Sequence, residues 1–182
     1  SLFEMNSYIQ SKVNKELTFM LQRILGLTGV LLMSASPALA YQVGDNVDPE
    51  ILARLQVDND KVTVVDFFAA WCVSCHKEIP LISKVEQQAN PDKVAIVGVD
   101  VDQELSEAQA FQAELKAKQA LSFPVVNDTD QQIVAKFGPL GMPALYYLKG
   151  GKVIGQHLGA VADIDQVLTQ ELRELGGEDA VR

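Results

Sequence analysis

The chain reads as an α/β fold with a central mixed sheet and helices on both faces, and three observations carry that expectation. Two continuous apolar runs, Lys61 to Phe68 and Val94 to Val99, have the composition of strands buried on both faces. Helical patterns come after each of them. Near the end, Ala144 to Lys149 and Lys152 to His157 flank Gly150-Gly151, the signature of a β-hairpin.

Taken in order, residues 41–60 are polar and turn-rich, with Gly44-Asp45, Asp48-Pro49 and Asp58-Asn59-Asp60. Pro49 to Leu55 fits a short helix, with Asp48 as N-cap and Pro49 at the first helical position. The first strand comes next, and from Cys72 to about Gln88 the spacing of Ile79, Ile82 and Val85 is helical, with Pro80 expected to kink it. The second strand ends in the acidic turn Asp100-Val101-Asp102. Ser106 to Lys118 places Ala108, Phe111 and Leu115 on one stripe of an amphipathic helix. Phe123 to Val126 reads as a short strand, and Gln131 to Phe137 as a short helix stopped by Gly138-Pro139. After the hairpin, Asp163 to Leu175 closes the fold as a helix capped by Asp163, and Gly176 to Arg182 reads as a frayed tail. Right-handed crossovers between the early strands give a parallel core, to which the hairpin adds antiparallel strands.

The first forty residues differ from the rest. Ser1 is not an initiator methionine, so Ser1 to Glu4 reads as a cloning remnant, with Met5 or Met20 as the natural start. Lys12, Lys15 and Arg23 precede an apolar run from Ile24 to Met33 and the small-residue stretch Ser34-Ala35-Ser36-Pro37-Ala38-Leu39-Ala40. That pattern matches a Sec-type signal peptide with cleavage after Ala40. An uncleaved anchor is the alternative, although the run falls short of the roughly 20 residues a spanning helix needs. The expected organisation is therefore residues 1–40 as leader and 41–182 as one domain, which implies a periplasmic protein.

Of the 182 residues, 48% are hydrophobic and 21% charged, which suits one ordinary globular core. The net charge of −9 becomes −10 once the leader, with its three basic and two acidic side chains, is set aside. So acidic a domain argues against nucleic acid or an anionic membrane as partner.

The two cysteines, Cys72 and Cys75, lie in Trp71-Cys72-Val73-Ser74-Cys75, directly after the first strand. At i and i+3 they share one helix face and can close into a disulfide. The first sulfur would sit among the free N–H groups of a helix N-terminus, which favour the reactive thiolate. Cys72 is therefore expected to be the more exposed thiol and the nucleophile, with Cys75 resolving the mixed disulfide. A structural zinc site would need a second Cys or Cys/His pair, and the sequence has none. Two further readings concern neighbours. Asp66, in an apolar strand, should have its pKa raised by burial. Glu78 falls on the same helical face as Cys75; its plain reading is a first-turn acid favoured by the helix dipole. His76 invites a metal site with Cys72, Cys75 and distant His157, but reads more simply as a solvent-facing helix residue. Asp100/Asp102 and Asp128/Asp130 read as turn and cap chemistry.

These residues resemble the thioredoxin superfamily, and more closely its exported TlpA/ResA-type branch. The resemblance spans about residues 60–175 and rests on Val65-Asp66-Phe67-Phe68-Ala69-Ala70-Trp71-Cys72-Val73-Ser74-Cys75, on Glu78 and Pro80, and on Gly141-Met142-Pro143. Ser106 to Lys118 resembles the helical insert of that branch. Two positions depart from it: Asp66 stands where Asn is frequent, and Met142 where Thr is frequent. The WCVSC string also resembles the C-terminal domain of DsbD. The resemblance implies a thioredoxin-like fold and a periplasmic thiol–disulfide oxidoreductase with no external cofactor beyond the Cys72–Cys75 pair. Asp66 would exchange a proton with Cys75, and Glu78 would help set the acidity of the thiols. Pro143 would be a cis-proline, and the Met142 backbone would pair with an extended substrate segment. Trp71 would shelter the site and contact substrate, with simple packing as its alternative. Implied partners are exported protein disulfides or thiols, apocytochrome c among them, and a membrane electron donor of the DsbD or CcdA type. The direction implied is reduction; a dithiol oxidase and an exported metal chaperone using Cys72, Cys75 and His76 are the alternatives.

Overall fold

The computed structural model describes residues 40–182, so the expected leader, all but its last residue, lies outside the described residues. The elements in order are α1 (Pro49–Arg54), β1 (Val62–Phe68), α2 (Cys75–Gln88), β2 (Val94–Asp100), α3 (Leu105–Ala117), β3 (Val125–Asn127), α4 (Gln132–Phe137), β4 (Ala144–Lys149), β5 (Lys152–Leu158) and α5 (Ile164–Gly176). No helix among the described residues is long and apolar enough to cross a membrane.

The sheet order is β3-β2-β1-β4-β5. β1 runs parallel to β2, from Val62↔Val94 to Phe68↔Asp100, and antiparallel to β4, from Thr63↔Leu148 to Phe67↔Ala144. β2 and β3 are parallel, and β4 and β5 form the expected antiparallel hairpin. Its turn residues Gly150 and Gly151 both have positive φ, 57° and 74°, which glycine adopts without steric penalty. Every residue of β1 is buried, as its unbroken apolar composition requires.

Alternation along β1 sorts the helices onto the two faces. Phe68 packs edge-on against Phe111 of α3, while Phe67, pointing the other way, meets Phe137 of α4. His76 of α2 stacks on Phe111, and α5 packs along α2. Arg54 of α1 pairs with Asp128 and Asp130, which precede α4. The mixed sheet thus carries α2, α3 and α5 on one side and α1 and α4 on the other.

Several boundaries and caps differ from expectation. α2 begins at Cys75 rather than Cys72, because Cys72 belongs to a turn in which its N–H donates to the Ala69 carbonyl at 3.1 Å. β3 starts at Val125 rather than Phe123: Pro124 has no N–H to give, although its carbonyl accepts from Gly98. Asp48 and Asp163 stand at the N-caps of α1 and α5, yet neither carboxylate makes a capping hydrogen bond, and that of Asp48 pairs instead with Lys136. The tail is not frayed. Ala180 and Val181 are fully buried, Val181 bridges Ala89, and the Ala180 carbonyl accepts from the Asn90 N–H.

Gly98, the partner of Asp66 in β2, is a close-approach position. A Cβ there would lie 2.6 Å from Phe68 Cε1 and 3.1 Å from Phe123 Cε2. Gly98→Ala should therefore destabilise the chain by about 1–3 kcal/mol, the usual penalty for overpacking a core. Urea unfolding of the oxidised protein measures it, and an unchanged midpoint would show that the two aromatic rings can yield.

Candidate functional site

The C-terminal end of β1 delivers the chain into the turn Ala69–Ser74 and from there into α2. Cys72 and Cys75 are joined as a disulfide, with Cα atoms 5.3 Å apart. Cys72 is 6% exposed and Cys75 fully buried, the order expected of an attacking and a resolving sulfur. Cys72 Sγ accepts the Cys75 N–H at 3.2 Å and lies 3.5 Å from Ser74 Oγ. The sulfur thus takes a free N–H of the first helical turn, the position that stabilises a thiolate.

The chain neighbours of Cys72 are exposed apolar side chains, Trp71 at 67% and Val73 at 74%. Trp71 and Met142 line one groove of about 440 Å³, together with Asp102, Glu104, Glu107 and Gln131. The Met142–Pro143 bond is cis. Among the described residues neither the N–H nor the carbonyl of Met142 takes a backbone hydrogen bond.

Two carboxyls are buried in the strand and the helix that the CxxC turn connects. Asp66 is 1% exposed in the middle of β1, and its Oδ2 has no hydrogen-bond partner among the described residues. Burial, and secondarily the charge of Glu78, push the Asp66 carboxyl up to about 8. Glu78, in the first turn of α2, is 5% exposed. Burial raises its pKa too, but Oε1 accepts the Val161 N–H at 2.6 Å and the His157 ring adds a smaller favourable field, both of which oppose the rise.

Asp66, Leu145 and His157 are consecutive partners across β1, β4 and β5, so their side chains share a sheet face. On that face His157 Nε2 meets Glu171 Oε1 at 2.7 Å, and the Tyr147 hydroxyl donates to Glu171 Oε2 at 2.5 Å. His76 Nε2 lies 2.7 Å from the Ala70 carbonyl. The two histidines are therefore committed to separate partners, and among the described residues no His, Cys, Asp and Glu side chains converge as a metal site. Asp128 takes the cap role expected of it, accepting the Ile133 and Val134 N–H groups of α4 at 3.0 and 2.7 Å.

A family model described as Thioredoxin-like matches residues 59–151, a little over half the chain. The chain belongs to the thioredoxin-like family. Within the segment of this thioredoxin-like protein that the family model covers, Cys72 and Cys75 form a CxxC disulfide. The thiol-disulfide oxidoreductase ResA of Bacillus thuringiensis (strain Al Hakam) is 28% identical over 100 residues, which are 54% of this chain and 56% of that protein. The chain therefore spans little more than half the length of this curated relative. A crystal structure from Chlorobium tepidum, described as a thiol:disulfide interchange protein DsbE, matches with a TM-score of 0.63 at 22% identity. The match covers 74% of this chain and 98% of that one, and it shows the shared fold. A secreted disulfide oxidoreductase of Mycobacterium tuberculosis, homologous to DsbE of E. coli, is 28% identical with a TM-score of 0.51, over 70% of this chain and 84% of its own.

Several participants carry no signal of their own in the sequence. The Val161 N–H that holds Glu78 is a backbone group 83 positions away along the chain. Glu171 and Tyr147 sit in ordinary helical and strand patterns. His76 does carry a signal, its place directly after the CxxC, but its partner is a carbonyl and not a ligand.

The buried Asp66 makes a signed prediction. Its folded pKa, about 8, lies above the ordinary 3.8, so between those values the folded protein keeps a proton that the unfolded chain has lost. Stability should then fall as pH rises from about 4 to about 8, by at most about 1.4 kcal/mol per pH unit from this group. Asp66→Asn, which cannot ionise, should flatten that part of the slope in urea unfolding of the oxidised protein. Parallel slopes for the two proteins would mean Asp66 titrates normally.

Proposed function

We propose that the protein is an exported thiol–disulfide oxidoreductase that reduces disulfides in other exported proteins, apocytochrome c among them. The observation that carries this reading is a slightly exposed Cys72 joined to a fully buried Cys75, with the buried carboxyls of Asp66 and Glu78 in the strand and helix on either side of the CxxC turn. Such a site can attack a protein disulfide with one sulfur and manage protons with the carboxyls.

In the reduced protein, the Cys72 thiolate attacks one sulfur of the substrate disulfide. The substrate S–S bond breaks, one substrate thiolate leaves and takes up a proton, and a mixed disulfide forms. Cys75 then gives its proton to the Asp66 carboxylate and attacks Cys72 Sγ; the bond between Cys72 and the substrate breaks, and the second substrate thiolate leaves and takes up a proton. Two electrons have passed from the dithiol to the substrate, and the Cys72–Cys75 disulfide is the product. A pKa near 8 keeps both forms of Asp66 accessible near neutral pH, as such a step requires. Glu78 adjusts the acidity of the dithiol through its field on Asp66. Trp71 and the free backbone edge of Met142, next to Pro143, receive the substrate chain. No external cofactor enters the cycle. Returning the pair to the dithiol outside the cytoplasm needs a membrane donor of the DsbD or CcdA type, in keeping with the leader-like residues 1–40 and a periplasmic setting.

The equilibrium reduction potential of Cys72–Cys75 against dithiothreitol or glutathione buffers tests the direction. A value near the thioredoxin figure of about −270 mV supports a reductant, and one near about −120 mV makes the protein a dithiol oxidase. Substitution separates the roles of the sulfurs. Cys72→Ser should abolish disulfide reduction in an insulin assay, and Cys75→Ser should accumulate a mixed disulfide visible by mass spectrometry. Adduct formation through Cys75 in Cys72→Ser, with none in Cys75→Ser, would reverse the assignment.

A further inference from the structure

His76 and Asp102 hold Ala70, two residues before Cys72, from opposite sides of its backbone. The Ala70 N–H donates to Asp102 Oδ2 at 2.7 Å, and the Ala70 carbonyl lies 2.7 Å from His76 Nε2, which must be the donor. Both partners are themselves held. Asp102 lies just past β2, where its N–H donates to Asp100 Oδ1 at 3.1 Å, and Gln112 of α3 donates to Asp100 Oδ2 at 2.9 Å. The His76 ring stacks on Phe111 of α3, with centroids 4.5 Å apart. Ala70 is therefore fixed from two sides by groups anchored to α3.

Fixing Ala70 matters because the same turn carries the nucleophile. The Cys72 N–H donates to the Ala69 carbonyl, and Cys72 Sγ receives the Cys75 N–H at 3.2 Å. The sulfur keeps that N–H only while the turn Ala69–Cys72 holds its place against the start of α2. A thiolate is stabilised by such donors, so moving the turn should move the acidity of Cys72.

We propose that His76 is a positioning residue for Cys72: through its hydrogen bond to the Ala70 carbonyl, opposite Asp102, it holds the nucleophile over the N-terminus of α2. This rests on Cys72 being the attacking sulfur, as argued above. His76 is solvent-exposed and touches neither sulfur, so its effect passes through the backbone.

Two substitutions in the full chain separate the hydrogen bond from the other properties of the ring. His76→Phe keeps an aromatic face for Phe111 but loses the donor. His76→Gln loses the stacking and any positive charge but can still donate to the carbonyl. The readout is the pKa of Cys72 in the reduced protein, monitored by thiolate ultraviolet absorbance, which needs no substrate. His76→Phe should raise it by about half to one unit, a three- to tenfold loss of thiolate at neutral pH, and His76→Gln should stay within about a few tenths of the parent. Amide exchange at Ala70 and Cys72, whose N–H groups are bonded to Asp102 and Ala69, should quicken in His76→Phe alone. An unchanged pKa in His76→Phe overturns the proposal. So does an equal rise in both variants, which would assign the effect to the charge of the ring. Failure of the reductase reading would appear elsewhere, as an oxidising potential with this ordering of pKa values intact.

Discussion

Strand β1 is buried along its whole length, and the rest of the molecule is arranged around that fact. With β2 on one edge and β4 on the other, its backbone groups are paired and its side chains reach helices on both faces. A carboxyl in the middle of such a strand has no water to ionise into, and placing a bare charge there costs far more than keeping the proton. Asp66 is tolerated because it can be neutral. The same strand ends one residue before the turn that carries Cys72, so the element that suppresses ionisation of Asp66 also sets the nucleophile in place.

The two buried carboxyls are chemically alike and environmentally different. Glu78 receives the Val161 N–H, while Asp66 Oδ2 receives nothing from the described residues. A hydrogen bond to the charged form favours ionisation, and its absence beside a second carboxylate opposes it. The pair is thereby split, with Glu78 the readier to hold a charge and Asp66 the readier to hold a proton. Separation of this kind assigns different duties to two groups of one type.

Much of this was legible in the sequence wherever the signal was local. The apolar runs at Lys61–Phe68 and Val94–Val99, the Gly150-Gly151 turn and the CxxC each announce themselves within a few residues, and the structure has strands, hairpin and disulfide there. What could not be read depends on partners far along the chain. Ala180 and Val181 look like part of a polar tail, yet they fill a space beside Asn90 and Ala89 that no local pattern describes. Helix α2 begins at Cys75 because the Cys72 N–H is taken by Ala69 and the Cys72 sulfur by Cys75, a competition that residue spacing alone does not reveal. His76 was readable as exposed and remains so, but its bond to Ala70 comes from the path of the turn and not from its own neighbours.

Two hydrogen bonds join three segments that are distant in sequence. The turn after β5 donates the Gly159 N–H to the Pro143 carbonyl at 3.0 Å and the Val161 N–H to Glu78 Oε1 at 2.6 Å. One short stretch of chain thus holds the loop beside Trp71 and the acid within α2. Displacing the Met142–Pro143 loop while leaving Glu78 in place would stretch or break one of these bonds. Losing the Val161 N–H would leave a buried carboxylate without its donor, a penalty of about 1–3 kcal/mol or more for a charged group. The loop beside Trp71 and the buried acid of α2 are therefore tied to one another, although nothing in the order of the residues along the chain brings them together.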